Sequence, residues 1–348
     1  MTDRRQQGLS LVELMIALTI GMFLVLGVLY IYSSSRASYA SNDAGARVQE
    51  DGRFALERLT REIRMAGYMG CANALDLNPR VIADPDGDGN VTEHLTFGAG
   101  EGIKVFNNGD NTGGDAWVNP TGVARVTGTD VIILKGMGSC TAPLTGNMGT
   151  DNANIQIGTN TCGWAAGDIL VISDCTSADV FAANNVSGGS VTIAHSSSVN
   201  TDTLDNTRSS KLSKPYGTDA IVGRYQETIF FVGIDTTVTP NQPALYQVGY
   251  NGVTYGAAQP VAGNVYDMQV TLNLDSDGDG DADSVKVAPS NTINWRQVIS
   301  VNIDYRVRSE DGTAGAVSQT YPYNGANVTD RRIRRDFGTV VGIRNRLP

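Results

Sequence analysis

The chain has 348 residues, 41% of them hydrophobic and 18% charged, with a formal net charge of −10 at pH 7. This composition is ordinary for a globular protein with a sizeable core in one or two domains. The acidic balance argues against nonspecific nucleic-acid binding by the body, so no nucleic-acid partner is predicted. Forty glycines against eleven prolines favour a β-rich body with many turns.

The first element is an apolar stretch from Leu9 to Tyr32 that carries one charge, Glu13. At about 1.5 Å per helical residue the stretch is long enough to cross a bilayer core of roughly 30 Å. A carboxylate inside a membrane helix costs about 2.5–3.5 kcal/mol on insertion scales, so Glu13 requires a partner. The small-residue junction at Gly8 lies before the apolar run, so we expect the membrane segment to survive processing.

This amino terminus resembles the class III signal of type IV prepilins. The shared features are a short basic leader, residues 1–8, ending at Gly8, a hydrophobic Leu9 where the family most often has phenylalanine, and Glu13 as the fifth mature residue. The resemblance implies cleavage between Gly8 and Leu9 by prepilin peptidase and methylation of the new amino terminus. By the positive-inside rule, the basic leader places the body outside the cytoplasm, so we expect an inner-membrane protein with a periplasmic domain before assembly.

After Tyr32 the pattern becomes amphipathic without a break. Leu56, Leu59, Ile63 and Ala66 recur at helical spacing, and Gly67 is the predicted end of the helix. The sequence therefore predicts one long helix, with a transmembrane half over residues 9–32 and an amphipathic half over residues 33–67.

From residue 68 to 348 the predicted body is β-rich, because the apolar period changes to two. Alternating strands suit a mainly antiparallel sheet with one face on a core, and the core partner is expected to be the apolar face of the helix. The fold class is thus α+β, with a long amino-terminal helix packed on an antiparallel sheet. The predicted strands are Asp130–Lys135, Asp168–Ser173, Ser190–Ala194, Glu227–Val232, Met268–Leu274 and Val301–Val307.

Four segments resemble PilW-type minor pilins. The likeness implies a protein that joins other minor pilins in a complex that primes assembly of the major pilin and caps the pilus tip, beside a large tip adhesin. The alternative is a minor pseudopilin of a type II secretion system, which has the same fold. No catalytic constellation is present, since His94 and His195 are the two histidines and no hydrolase or nucleotide motif occurs, so no enzyme is predicted. The segments are Gln49–Cys71, Asn264–Lys286, Asn294–Ser309 and Asp330–Pro348.

A run of aspartates predicts a calcium site. Positions one, three, five and nine of an EF-hand-like loop are aspartates around a glycine turn, a pattern that gathers carboxylate oxygens on one point. Position twelve is Lys286, so a weak dissociation constant of about 10⁻⁴–10⁻³ M is expected. A solvated acidic turn is the alternative. The ligands are Asp275, Asp277, Asp279 and Asp283 by side chain and Asp281 by its carbonyl oxygen.

A second, weaker loop has Asp84, Asp86 and Asp88 at the first three of those positions, and here a calcium site and a simple turn are equally favoured. At the carboxyl terminus, arginines contrast with the acidic body. They either dock an acidic neighbour or DNA, or act as solvated charges on a strand edge. The arginines are Arg331, Arg332, Arg334, Arg335, Arg344 and Arg346.

The four cysteines are Cys71, Cys140, Cys162 and Cys175. None forms a C-x-x-C pair, and an even number outside the cytoplasm favours disulfides. Three pairings are open, and proximity in sequence favours Cys71–Cys140 and Cys162–Cys175.

Overall fold

The protein is seen as a computed structural model that describes residues 10–70, 77, 79–84, 101–109, 122–187, 191–201, 209–237, 241–250, 255–283, 286–287, 289, 293–310 and 317–346. Within those ranges the one α-helix is α1, Leu11–Arg64, with 54 residues. Three short 3₁₀ turns span Asn107–Gly109, Trp295–Gln297 and Arg344–Arg346.

The predicted single helix is confirmed. The side-chain oxygen of Ser10 caps its amino end by accepting a hydrogen bond from the Glu13 N–H at 3.2 Å. At the other end, Met65 is the C-cap and Gly67 adopts a positive φ of 71°, a conformation that glycine takes without steric cost. The helix ends at Arg64, so the last predicted positions, up to residue 67, form the turn that follows it.

The strands of the body are numbered in chain order. They are β1 (Arg80–Val81), β2 (Ile103–Phe106), β3 (Val123–Arg125), β4 (Val131–Pro143), β5 (Ile155–Gln156), β6 (Ile169–Ser173), β7 (Ala178–Ala182), β8 (Asn185–Val186), β9 (Thr192–Ala194), β10 (Ile221–Asp235), β11 (Pro243–Tyr250), β12 (Gln259–Gly263), β13 (Val265–Leu274), β14 (Lys286–Val287), β15 (Val298–Arg308), β16 (Gln319–Tyr323), β17 (Ala326–Asp330) and β18 (Arg334–Gly342).

Over the described part of the chain these strands form sheets of nine, four, three and two strands. The largest is built around β10, which pairs with β4 on one edge and with β6 and then β11 on the other. The four-stranded sheet runs β14-β13-β15-β18. Every pairing is antiparallel except that of β1 with β7, so the mainly antiparallel α+β layout predicted from the sequence is confirmed.

The second half of α1 supplies one side of the main core. Its buried positions Val48, Ala55, Leu59 and Ile63 join inward residues of β13 and β15 in a single cluster. The spacing of seven, four and four residues places these positions on one helix face. The predicted packing of the helix on the alternating strands is therefore confirmed.

The polar face of the four-stranded sheet is more enclosed than its alternating pattern predicts. Asn273 and Asn302 are buried, and the Asn302 Nδ2 donates to the Asn273 Oδ1 at 2.9 Å. Asn273 in turn donates to the Ser300 hydroxyl at 2.9 Å. Buried amides are tolerated when their donors and acceptors are paired, as they are in this ladder.

Candidate functional site

The amino-terminal site lies at the start of α1. Gly8 and Leu9, the predicted processing junction, lie outside the described residues, whereas Ser10 and Glu13 are described. Glu13 lies in the first turn of the helix, where a carboxylate interacts favourably with the positive end of the helix dipole. The predicted assembly residue is therefore at the tip of the element that extends from the body.

The first half of α1 is not covered by the body. None of its 18-residue most apolar window is buried, and large side chains such as Phe23 (76% exposed) and Tyr30 (77%) face outward. Within the described residues this is the one helix long and apolar enough to cross a membrane. An apolar surface of this extent indicates a membrane or protein partner.

Polar contacts fix the second half of α1 to the body. Arg58 donates from Nη2 and Nε to the Gln247 Oε1 at 2.9 and 3.2 Å and pairs with Glu62 at 3.0 Å. Deeper in the contact, the Tyr305 hydroxyl donates to the Gly52 carbonyl oxygen, and the Phe337 ring lies against the same glycine. The helix is thus held by side chains from both larger sheets.

The acidic loop between β13 and β14 brings three of the predicted calcium ligands together. Carboxylate oxygens of Asp275, Asp277 and Asp279 all lie within 4.8 Å of one another. Two glycines with positive φ, Gly278 at 80° and Gly280 at 88°, make the turn. Their N–H groups donate to Asp275, at 2.7 and 3.0 Å, and so fix the first carboxylate of the series.

The other two predicted ligands lie outside that group. Asp283 accepts from the Ser276 N–H at 2.8 Å and from the Ser276 hydroxyl, and these hydrogen bonds lower its pKa. The Asp281 N–H donates to the Asp279 Oδ1 at 2.8 Å, which orients the third carboxylate of the series, whereas the predicted carbonyl ligand of Asp281 stays a prediction. The structure thus gathers three carboxylates and uses the fourth to close the base of the loop.

The second predicted loop is described at Asp84 alone. Its carboxylate is buried and accepts from the Thr201 hydroxyl at 2.6 Å. Asp86 and Asp88 lie outside the described residues, so this prediction is untested.

The predicted cysteine pairing is wrong. Cys140 is bonded to Cys162, with Cα atoms 5.8 Å apart, within the range of about 4.4–6.8 Å that a disulfide requires. Strand β6 carries the chain away between Cys162 and Cys175, so nearness in sequence does not give nearness in space. Cys175 is also disulfide-bonded, and Cys71 lies outside the described residues.

The carboxyl-terminal arginines do not act as one surface. Arg332 and Arg334 both pair with Asp330, and the Arg334 guanidinium stacks 3.6 Å from the Tyr321 ring centroid. Arg346 is buried and donates to the carbonyl oxygens of Trp295 and Val298, and burial lowers its pKa to about 10. Arg331, Arg335 and Arg344 remain exposed.

Sequence reasoning missed a cavity of about 500 Å³ between β4, β10 and β11. Its lining comes from residues far apart in the chain, among them Ser139, Trp164, Gln226 and Gln247. No motif marks it, because strand register rather than local sequence creates it.

Comparison with known families gives two matches, one at each end of the chain. The prokaryotic N-terminal methylation motif matches residues 3–29, and the family described as type IV pilus-assembly protein W (PilW) matches residues 229–345. Searches of curated proteins and of solved structures returned no match. The first match contains the start of α1 with Glu13, and the second contains the β13–β15–β18 sheet and the acidic loop. Over these two segments the chain thus matches a PilW-like pilin of the type IV pilus.

Proposed function

We propose that this protein joins other minor pilins in a complex that primes assembly of the major pilin and remains at the pilus tip, beside a large adhesin. The role is structural rather than catalytic. The observation that carries the proposal is the uncovered apolar half of α1 with a single acid, Glu13, at its end. Before assembly this apolar surface is covered by the lipid of the inner membrane, with the body in the periplasm. After assembly it is covered by the helices of neighbouring subunits.

Glu13 sets how the packed helices of neighbouring subunits align along their axes. An unpaired carboxylate in hydrocarbon costs several kcal/mol, and the amino terminus released by processing is the nearest available cation. Staggered helices allow Glu13 of one subunit to meet the terminus of the next. Because desolvation offsets much of the Coulomb attraction, the pair specifies alignment more than it adds stability.

The test is recovery of partner pilins from membranes with Glu13→Ala, compared with the parent protein. We expect unchanged insertion and processing but reduced co-purification of the other minor pilins and reduced surface piliation. Glu50→Ala is the matched control, since Glu50 is an exposed acid on the same helix outside the apolar segment. Full recovery of partners with Glu13→Ala would refute the role of Glu13. Co-purification of secretion-system pseudopilins instead would favour the alternative machine.

Processing is proposed at the Gly8–Leu9 junction, by prepilin peptidase followed by amino-terminal methylation. The match of residues 3–29 to the methylation motif supports this. Amino-terminal sequencing of protein isolated from cells should begin at Leu9. An intact Met1, or a terminus beyond Tyr32, contradicts the proposal.

We also propose that the acidic loop binds Ca²⁺ through Asp275, Asp277 and Asp279. Their convergent oxygens support it, since calcium takes six to eight oxygen ligands and accepts carbonyl groups and water alongside carboxylates. With three carboxylates and no bidentate glutamate, a dissociation constant of about 10⁻⁴–10⁻³ M is expected.

The test is the melting temperature of the full chain in detergent, titrated with Ca²⁺ and, for comparison, Mg²⁺. Calcium should raise it, because a ligand that binds the folded state stabilises that state. The double variant Asp277→Asn, Asp279→Asn should lose the rise, whereas Asp281→Asn, in the same loop but outside the cluster, should keep it. An equal calcium response in the double variant and the parent would exclude this ligand set.

A further inference from the structure

The cavity of about 500 Å³ is built by an irregularity in the largest sheet. In the pairing of β4 with β10, Gly223 lies opposite Thr141 but Tyr225 lies opposite Met137. The three residues 138–140 of β4 therefore face Arg224 alone. Bulges of this kind bend the strand that carries them and are enriched beside functional sites.

On the other edge of β10 the partner strand changes at the same position in the chain. Strand β6 pairs with β10 as far as Arg224, and β11 begins its pairing at Glu227. Tyr225 and Gln226 thus lie between the end of the pairing with β6 and the start of the pairing with β11. The sheet divides here, and the cavity occupies the division.

The rim is fixed by covalent and hydrogen bonds. The Cys140–Cys162 disulfide ties the bulge to the loop that carries Trp164. Asn160 holds that loop, since its Nδ2 donates to the Trp164 carbonyl oxygen at 2.8 Å and its Oδ1 accepts from the Trp164 N–H at 2.9 Å. A cavity held in this way loses little entropy on binding.

Most of the polar lining is uncharged, since Ser139, Gln226, Thr228 and Gln247 supply hydroxyls and amides. The lining also includes Glu227, which is buried and accepts a hydrogen bond from the Tyr225 hydroxyl at 2.9 Å. Arg224, the cation at the rim, donates to the Asp168 carboxylate at 2.6 Å, so its charge is matched within the chain. A strongly anionic or cationic ligand would therefore find no unmatched partner in Arg224.

The side-chain amide of Gln247, in the cavity lining, is oriented by Arg58 of α1, which does not line the cavity. The Gln247 Oε1 accepts both hydrogen bonds from Arg58 of α1, so the Gln247 Nε2 is left to donate. Gln226 is exposed and offers both a donor and an acceptor. Together with the hydroxyls of Ser139 and Thr228, these groups supply hydrogen-bond donors and acceptors to a lining that also includes Trp164 and the two disulfide cysteines.

We propose that this cavity binds a neutral saccharide. Sugar hydroxyls both donate and accept, which matches the paired amides and hydroxyls, and the C–H face of a pyranose ring packs on an apolar wall. The volume lies within the range of about 300–1,000 Å³ usual for ligand pockets, enough for a short saccharide. This inference is independent of the assembly role, because none of these residues lies in the uncovered half of α1.

The experiment is a neutral-glycan array followed by titration of the full chain with each saccharide that binds. The protein is kept in a zwitterionic detergent, because a maltoside or glucoside would itself compete. We expect binding of at least one neutral saccharide. Gln226→Leu should weaken it about tenfold, equivalent to about 1.4 kcal/mol. Ser139→Trp, which fills the cavity from its exposed rim, should abolish it.

Gln49→Leu is the control, since Gln49 is an exposed glutamine on α1 outside the cavity. Both cavity variants alter exposed positions, so their melting temperatures should equal that of the parent. Failure of the parent chain to bind any neutral glycan overturns the proposal. So does binding that Gln226→Leu and Ser139→Trp leave unchanged, or a preference of the array for charged glycans alone.

Discussion

The two halves of α1 belong to one continuous helix but are covered differently. From Leu11 to Arg47 no residue is buried, whereas Val48, Gly52, Ala55, Leu59 and Ile63 form a buried stripe. Residues 11–32 are apolar on nearly all sides, residues 33–47 are largely polar, and the second half is apolar on one side only. Apolar content therefore does not reveal what covers a helix, but the periodicity of that content does.

The largest expected effect comes from making the same leucine-to-alanine substitution in each half of α1. Leu59→Ala should destabilise the body by about 2–5 kcal/mol, because Leu59 is 1% exposed in the main core. Leu18→Ala, at a position 65% exposed, should leave the melting temperature of the body unchanged. Thermal unfolding of both variants in the same detergent measures the difference. Similar losses would mean that the body also packs on the first half.

Two glycines allow a second comparison along the same helix. Gly52→Ala should cost about 1–3 kcal/mol, since a Cβ there would overlap the Phe337 ring. Gly45→Ala meets nothing within 4 Å and should stabilise the helix by about 0.5–1 kcal/mol. Denaturant midpoints of the two variants should therefore move in opposite directions. A shift in the same direction would show that the contact with β18 is looser than described.

Two arginines three residues apart, Arg58 and Arg61, allow a comparison between the side of the second half that contacts the body and the side that faces solvent. Arg58 reaches Gln247 on β11, so Arg58→Ala should cost about 0.5–1.5 kcal/mol. Arg61 pairs with the exposed Glu57 at 3.7 Å, and its loss should cost at most about 0.5 kcal/mol. High salt should reduce the second effect more than the first. Equal costs would indicate that the cross-contact to Gln247 adds nothing.

The smallest expected effect concerns pH and an acid in the covered half. Burial raises the pKa of Asp51 above 3.8, against a weaker lowering by its hydrogen bond from Asn264. Because the pKa of Asp51 is higher in the folded than in the unfolded state, folding favours the protonated carboxyl. The stability that this protonation contributes is fully present below pH 3.8 and is lost as the pH rises through the folded-state pKa.

Asp51→Asn should therefore gain stability over the parent at neutral pH but not in acid. Melting temperatures of both proteins across this range provide the measurement. Asp43→Asn, at an exposed position in the uncovered half, is the control. A constant difference between Asp51→Asn and the parent at every pH would contradict the expectation.

Features that depend on residues close together in the chain could be predicted from the sequence, whereas features that depend on distant residues could not. Leu59 and Ile63 recur at helical spacing and Val301 and Ile303 at strand spacing, so element type and core face were readable from neighbours in the chain. The Cys140–Cys162 bond and the cavity at Gln226 depend on how β4 registers against β10, which no local pattern encodes. The burial of Asn273 and Asn302 is likewise set by tertiary packing.

The acidic loop shows the same division at a finer scale. Spacing alone predicted that Asp275, Asp277 and Asp279 converge, and their oxygens do lie together. Spacing could not show that Ser276 engages Asp283, because that hydrogen bond depends on how the loop closes across its base.

The length of the uncovered half sets how far the body stands from the membrane. The segment from Leu11 to Arg47 extends about 55 Å at about 1.5 Å per residue. A hydrocarbon core takes up about 30 Å of that length. About 25 Å of uncovered helix then remains between the edge of the hydrocarbon core and the first buried residue, Val48. The body can therefore meet neighbouring subunits well clear of the lipid headgroups while its helix is still anchored.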